Sequence, residues 1–378
     1  MSKKYNCDLL VLSPIHIGSG EKYNASEYVE STARSNKGNK LKIVKRMNIS
    51  KYFISLNDEL KDDFLRDLSN GNFNLAKFDE KISNDYLLYK SINRSKKEFL
   101  PSSEISECIK TFNQAYIPGS SVKGAIKSAI LYNKITDEDV TNLSRDVVSN
   151  GKVNGWEYNK FLEKIFSSKF TRQAAQGDVM KFLQVSDSSS IKTPIIYDII
   201  TVMASFRILT HEFYRRNKGS NAPTLSYLET IPRGSKLTLE IKNNYDSVVF
   251  DELRLGSRVN FIDIENIKKA MFNFSRDLIN HEIEFARDYD IKTLVKFYKD
   301  LSKRNTLDKP LLKVGSGSGF LATTIGLKIK KYDEFLYEQI REKLRSKTYS
   351  YAFPKSRKIT TVGGHPLGWI QFSFKEVE

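Results

Sequence analysis

Residues 116–132, YIPGSSVKGAIKSAILY, commit the chain to a layered fold. Pro118-Gly119 makes a turn, Ser120 suits an N-cap, and Val122, Ala125, Ile126, Ala129 and Ile130 recur at helical spacing. A helix with one apolar face must lie on a second layer. The flanking segments offer strands for that layer. Tyr5, Cys7, Leu9 and Val11 alternate before a break at GSG (18–20), which reads as a tight turn, and KLKIVKRM (40–47) reads as a second strand. Further strands are expected at KFLQVSD and in the terminal GHPLGWIQFSFKE. TLSYLETI and KLTLEI, joined through PRGS, read as a β-hairpin, and the apolar runs KPLLKV and FLATTIGLKI flank a glycine-rich loop. TPIIYDIITVMASF favours a strand, with a buried helix as the alternative for so apolar a run. Helical patterns occupy 262–284, 291–304 and 333–346, the last with Leu336, Ile340 and Leu344 on one side.

Two polar, helix-friendly stretches, about 57–105 and 133–180, interrupt this alternation and read as surface insertions. The SDSSS cluster ahead of Pro194 marks a boundary, which divides the chain into 1–188 and 189–378. Each half mixes strands and helices in a split pattern, so the expected class is α+β rather than a doubly wound sheet. A length of 378 residues with 40% apolar side chains accommodates two such domains.

Charge narrows the function. The net charge is +16, and residues 301–378 hold 15 Lys/Arg against 7 Asp/Glu. Such an excess favours a polyanionic partner, because basic groups that neutralise phosphates release counterions; a merely solvated basic face is the competing reading. No run approaches the length of a membrane-spanning helix and the N-terminal residues lack a signal-peptide core, so the expected location is the cytoplasm, with no membrane partner. Cys7 and Cys108 are too few and too far apart for a disulfide framework or a zinc ribbon.

Within the basic C-terminal segment lies KVGSGSGFLATTIGL (313–327), with Gly315, Gly317 and Gly319 in five positions. Bare backbone of this kind turns sharply and can bring its N–H groups against a polyanion, with a flexible hairpin loop as the competing reading. A P-loop is excluded, since no lysine follows Gly319 until Lys328, and the dinucleotide fingerprint is excluded by Phe320 where a small residue is required. Lys123 and Lys127 stand one turn apart on the polar face of the 116–132 helix, near an end whose free N–H groups attract anions.

Five stretches in order, SPIHIGSG, YIPGSSVKGAIKSAI, FLQVSDS, VGSGSGF and GHPLGWIQF, resemble the CRISPR-associated RAMP proteins. Among these the chain looks like the subunit that caps the backbone of the type III-A effector complex at the 3′ end of its guide RNA, the crRNA. The resemblance implies two ferredoxin-like (RRM-like) domains with helical insertions, packed side by side with the glycine loop facing single-stranded RNA. It also implies other RAMP subunits as partners, above all the repeated backbone subunit, together with assistance in crRNA 3′-end maturation by positioning the end or recruiting a host nuclease. The RNA-facing groups carried over are His16, Gly18 and Gly20 after the first strand, Ser120, Ser121 and Lys123 at the helix start, and Gly315, Gly317 and Gly319. Lys45, Arg46 and Lys127 join them on charge and placement alone. Contacts to a guide of any sequence should fall on phosphate, sugar and base faces.

No catalytic residue, metal ligand or cofactor is expected. The repeated backbone subunit that this chain resembles near its first strand cuts target RNA with an aspartate in the following loop, yet no aspartate occurs here between Asp8 and Asp58; Glu21, Glu27 and Glu30 are the only acids in the 12–30 stretch. His211-Glu212 and His281-Glu282 lack a histidine four residues on, so the zinc-protease pattern is absent, and His365 sits in a Gly-His-Pro turn. The alternative is a metal-independent endoribonuclease that processes crRNA precursors through His16. A third reading is a basic protein that binds structured cellular RNA.

Overall fold

The computed structural model describes residues 2–71, 73–100, 102–149, 152–153, 155–168, 174–203, 224–345, 353–354 and 356–377. In chain order its strands of three or more residues are β1 (Lys3–Val11), β2 (Gly18–Tyr23), β3 (Tyr28–Arg34), β4 (Lys40–Met47), β5 (Leu87–Asn93), β6 (Ile105–Cys108), β7 (Leu183–Val185), β8 (Ile195–Met203), β9 (Thr224–Thr230), β10 (Lys236–Asn243), β11 (Leu311–Lys313), β12 (Ser356–Thr360) and β13 (Trp369–Val377). They form a five-stranded sheet, β7-β10-β1-β13-β11, and an eight-stranded one, β2-β6-β9-β8-β5-β4-β3, in which β12 pairs with β8.

The five-stranded sheet follows from alternation. Tyr5, Cys7, Leu9 and Val11 of β1 point to one buried face, and Leu237, Leu239 and Ile241 of β10 join them because Cys7 lies opposite Leu239. On its other side β1 pairs antiparallel with β13, Cys7 opposite Phe374. Three helices belong to the core on this face: α1 (Gly119–Lys134), α2 (Ile264–Asp288) and α3 (Lys292–Arg304). In α2 the buried Ile264, Ile267, Met271, Phe274 and Leu278 form the apolar stripe, and the Asp263 carboxylate caps the first turn by accepting from the amides of Glu265 and Asn266. Burying a large aliphatic or aromatic side chain contributes about 1.5–3 kcal/mol, so this shared core is the main source of stability here.

Several expectations are corrected. TLSYLETI and KLTLEI are strands but not a hairpin: β9 pairs with β8 and β6, whereas β10 pairs with β1 and β7. Alternation marks both as strands without naming a partner, and the chain changes sheet at Ile231, which bridges to Ile15. The GSG break is part of β2, whose pairing with β6 shifts register between Gly18 and Lys22, a bulge rather than a turn. β3 escapes sequence reading because it is an edge strand, mostly exposed beyond Val29 and therefore polar. Residues 57–105 do contain helices, at Asp58–Ser69 and Leu75–Phe78, but also β5 and, at their end, the first residue of β6. β5 looks polar because its inward residues include Ser91 and Asn93. The helices of this stretch cover a satellite core of Tyr52, Phe64, Phe73 and Leu75, with the Phe64 and Phe73 rings 4.7 Å apart. The 195–203 run is a strand, not a buried helix.

The architecture is α+β, as expected. The connection 186–194, where the sequence places its boundary, leads from β7 in the first sheet to β8 in the second. Each sheet takes strands from both sides of it.

Candidate nucleic-acid interface

Three loops meet beyond the end of β1. The amides of Leu12 and Ser13 donate to the Trp369 carbonyl at 2.8 and 3.3 Å, and Gly368 donates to Pro14 at 2.9 Å. The Gly368 carbonyl in turn accepts from Val314 at 2.8 Å, which ties the start of the glycine loop to the same point. Ser316 then donates its amide to the His16 carbonyl at 2.8 Å. This places two of the sequence-predicted RNA elements, the loop after β1 and the glycine loop, against each other.

Gly315 explains the close approach. Its φ is +73°, and a Cβ there would stand 2.5 Å from the His16 carbonyl oxygen, so no other residue fits. Gly317 lies over Leu367, and Gly319 opens the short helix Gly319–Thr323. Gly315, Gly319, Gly18, Ser19 and Gly20 are all exposed, so the junction presents main chain with little side chain over it. Lys358, a residue that sequence reading missed, donates from Nζ to Ser316 Oγ at 3.2 Å and adds a cation to the loop.

His16 is anchored from below. Its Nδ1 is 2.7 Å from the Glu229 carbonyl, and since a carbonyl only accepts, Nδ1 carries the hydrogen and Nε2 is left as the acceptor, close to Gly18. Burial pushes the imidazole pKa below its ordinary value, against the opposing pull of Glu229, so the ring is neutral at pH 7. Beneath it lies a polar cluster that the sequence did not announce. Glu229, fully buried, accepts at Oε1 from Tyr23 at 2.7 Å and Ser91 at 3.2 Å, and at Oε2 from the Cys108 amide at 3.2 Å and from Lys110. The only signal was an acid inside a segment read as a strand.

A second buried cluster supports the glycine loop from β11. Arg357 and Glu282 form an ion pair at 2.7 Å, and the Arg357 guanidinium stacks on Phe285 at 3.8 Å. Lys313, two residues before Gly315, is brought down to about 8 by burial, with Glu282 opposing. His281 is pushed to about 4, again by burial against the pull of Glu282.

The other predicted residues sit differently. Ser120 is not the N-cap of α1; Pro118 holds that position without a side-chain cap, and the Gly119 amide donates instead to Asp187 at 2.8 Å. The helix end therefore already faces a carboxylate. Lys127 pairs with Asp178 at 2.8 Å and covers the Phe166 ring, whereas burial lowers the pKa of half-buried Lys123. Arg46 pairs with Glu27 at 2.8 Å and lies over the Tyr23 ring, and Lys45 donates to Asn84 at 3.0 Å. The structure thus gathers His16, Gly18, Gly315 and Gly317 at the loop junction, brings α1 alongside through the helix Gly319–Thr323, and engages Lys45, Arg46 and Lys127 with neighbours of their own.

Cys7 and Cys108 are free and buried. Among the described residues no group of three or more His, Cys, Asp or Glu is placed to hold a metal ion, and no helix is long and apolar enough to cross a membrane. The His211-Glu212 pair lies outside the described residues.

The RAMP superfamily model matches residues 8–322, across both sheets and the loop junction, and the chain belongs to that superfamily. Over its whole length it is 24% identical, across 408 aligned positions, to the CRISPR system Cms protein Csm5 of Methanocaldococcus jannaschii, of which it covers 90%. Two solved structures share its fold. One is a chain of a Csm–crRNA–target RNA ternary complex of a type III-A CRISPR-Cas system, with TM-score 0.68, 23% identity, and 99% and 100% of the two chains covered. The other is T. onnurineus Csm5, with TM-score 0.62, 21% identity, and 96% and 99% covered.

Proposed function

We propose that this chain is a crRNA-binding structural subunit of a type III-A effector complex, seated at the crRNA 3′ end of the backbone and helping to mature that end without cutting it. The observation that carries the reading is the Ser316 amide on the His16 carbonyl, which fuses two glycine-bearing loops into one exposed stretch of main chain on a protein of net charge +16. Such a surface grips phosphate and ribose without reading bases. The likeness to Csm5, and to a chain solved with crRNA and target RNA, supports it. Its partners are then crRNA and neighbouring RAMP subunits, with a nuclease recruited to trim the end.

The test uses the purified full chain and single-stranded repeat RNA. Affinity should fall steeply as salt rises, Lys358→Glu should weaken it about tenfold or more, and the RNA should stay intact with or without a chelator. Affinity indifferent to salt would remove the RNA assignment. Reproducible cleavage that disappears in His16→Ala would replace it with the endoribonuclease reading.

A further inference from the structure

A cleft of about 440 Å³ opens between α3, the turn Gly363–His365 and the connection that carries Arg233. The size is that of a small-ligand site, ~300–1,000 Å³. Leu12, Phe297 and Leu301 supply apolar wall, while Arg233, Lys296 and Arg304 supply cations against a single acid, Asp300. The lining therefore carries a formal charge of +2 (three cations less one carboxylate). All three cations are exposed, and among the described residues none is held in an ion pair.

His365 organises this cleft. Its ring packs against Phe297, centroids 5.5 Å apart, and its Nε2 lies 3.2 Å from Arg233 Nη1. A guanidinium can only donate, so Nε2 accepts and Nδ1 carries the hydrogen. That Nδ1 is buried and has no partner among the described residues. Burial and the neighbouring Arg233 hold the imidazole pKa low, so the ring is neutral and aims Arg233 rather than repelling it as a cation would. At the far end the Arg304 carbonyl accepts from Gln371 Nε2 at 2.7 Å, which fixes the last turn of α3.

We propose that this cleft binds a phosphomonoester, with Arg233, Lys296 and Arg304 around its oxygens. A phosphomonoester carries about −1.5 to −2 at neutral pH, which the lining matches, whereas a phosphodiester within a strand carries half of that. A concave pocket also suits a terminus or a free nucleotide better than a passing chain. The two sources of this chemistry are the phosphorylated end of an RNA strand and a nucleoside monophosphate. Only the first rests on the RNA-holding function proposed above.

Calorimetric titration of the full chain with adenosine 5′-monophosphate and with adenosine tests the chemistry. Short single-stranded RNAs ending in phosphate or in hydroxyl test the source. The monophosphate should bind at least tenfold more tightly than adenosine, as expected for hydrogen bonds to a charged group. Arg233→Ala, Arg304→Ala and Lys296→Glu should each remove tenfold or more of that affinity. A preference for phosphate-ended RNA that the same variants abolish assigns the RNA end as the source; monophosphate binding without that preference assigns the free nucleotide. Adenosine and its monophosphate binding alike, or monophosphate affinity unchanged in all three variants, overturns the proposal. Lys358→Glu separates the two readings, since it should weaken RNA binding and leave the monophosphate titration untouched.

Discussion

Single residues show where polar groups were placed at cost for the sake of geometry. Glu229 is wrapped by Tyr23, Ser91, Lys110 and the Cys108 amide, and its own carbonyl holds His16. Removing its charge leaves Lys110 short of a buried partner, so Glu229→Gln should destabilise the fold by about 3 kcal/mol, read as a lower urea midpoint. A change below about 0.5 kcal/mol would show that Glu107, 3.2 Å from Lys110, carries the charge balance instead. Lys313 gives a pH signature. Its folded pKa of about 8 lies below its ordinary 10.5, so between those values the unfolded chain holds the extra proton and stability rises with pH. Urea midpoints should increase from about pH 8 to 9.5 in the wild type, and Lys313→Met should flatten that rise. His16 and the three loop glycines, which meet at the junction, were singled out by the family resemblance, the glycines also by the bareness of their loop. Glu229 and Lys110 were not, because nothing local distinguishes a buried ion pair from two surface charges.

At the scale of elements, periodicity identified what each segment is far better than what it touches. The long helices α2 and α3 lie close to where their apolar spacing puts them, yet β9 and β10, adjacent in sequence, part company into different sheets. α1 is a second case: its apolar face was plain, but its N-terminal partner, Asp187, comes from a strand end far along the chain. A Cβ at Gly119 would stand 2.2 Å from the Val185 carbonyl oxygen, a backbone atom that cannot swing aside. Gly119→Ala should therefore cost about 1–3 kcal/mol despite the better helix propensity of alanine, whereas Gly124→Ala, with open space around it, should be neutral or stabilising. Thermal melts of the two variants test the contrast. The stretch 57–105 is likewise more than an appendage, since deleting it removes β5 and the first residue of β6 from the eight-stranded sheet. Such a deletion should abolish cooperative unfolding rather than give a folded, shortened subunit.

For the whole molecule, charge and loop chemistry were readable as a preference for a polyanion before any contact was known, because both are sums over composition and local backbone. The mutual placement of the two bare loops was not, since it depends on pairings between residues some 300 positions apart, such as Ser316 with His16.

One such pairing governs how the protein comes into being. β1 has neighbours on both sides, β10 and β13, and both are made long after it; the last of them is the nine-residue segment Trp369–Val377. While the chain is being synthesised, the first strand therefore waits with two open edges, a sticky template for any extended peptide. A ribosome stalled ahead of Trp369 would hold a chain with its central strand half-paired and its loop junction unbuilt. Because the loops after β1 and β11 are tied to Gly368 and Trp369, their junction is complete only once this strand has been made, and copies cut short ahead of it lack that surface.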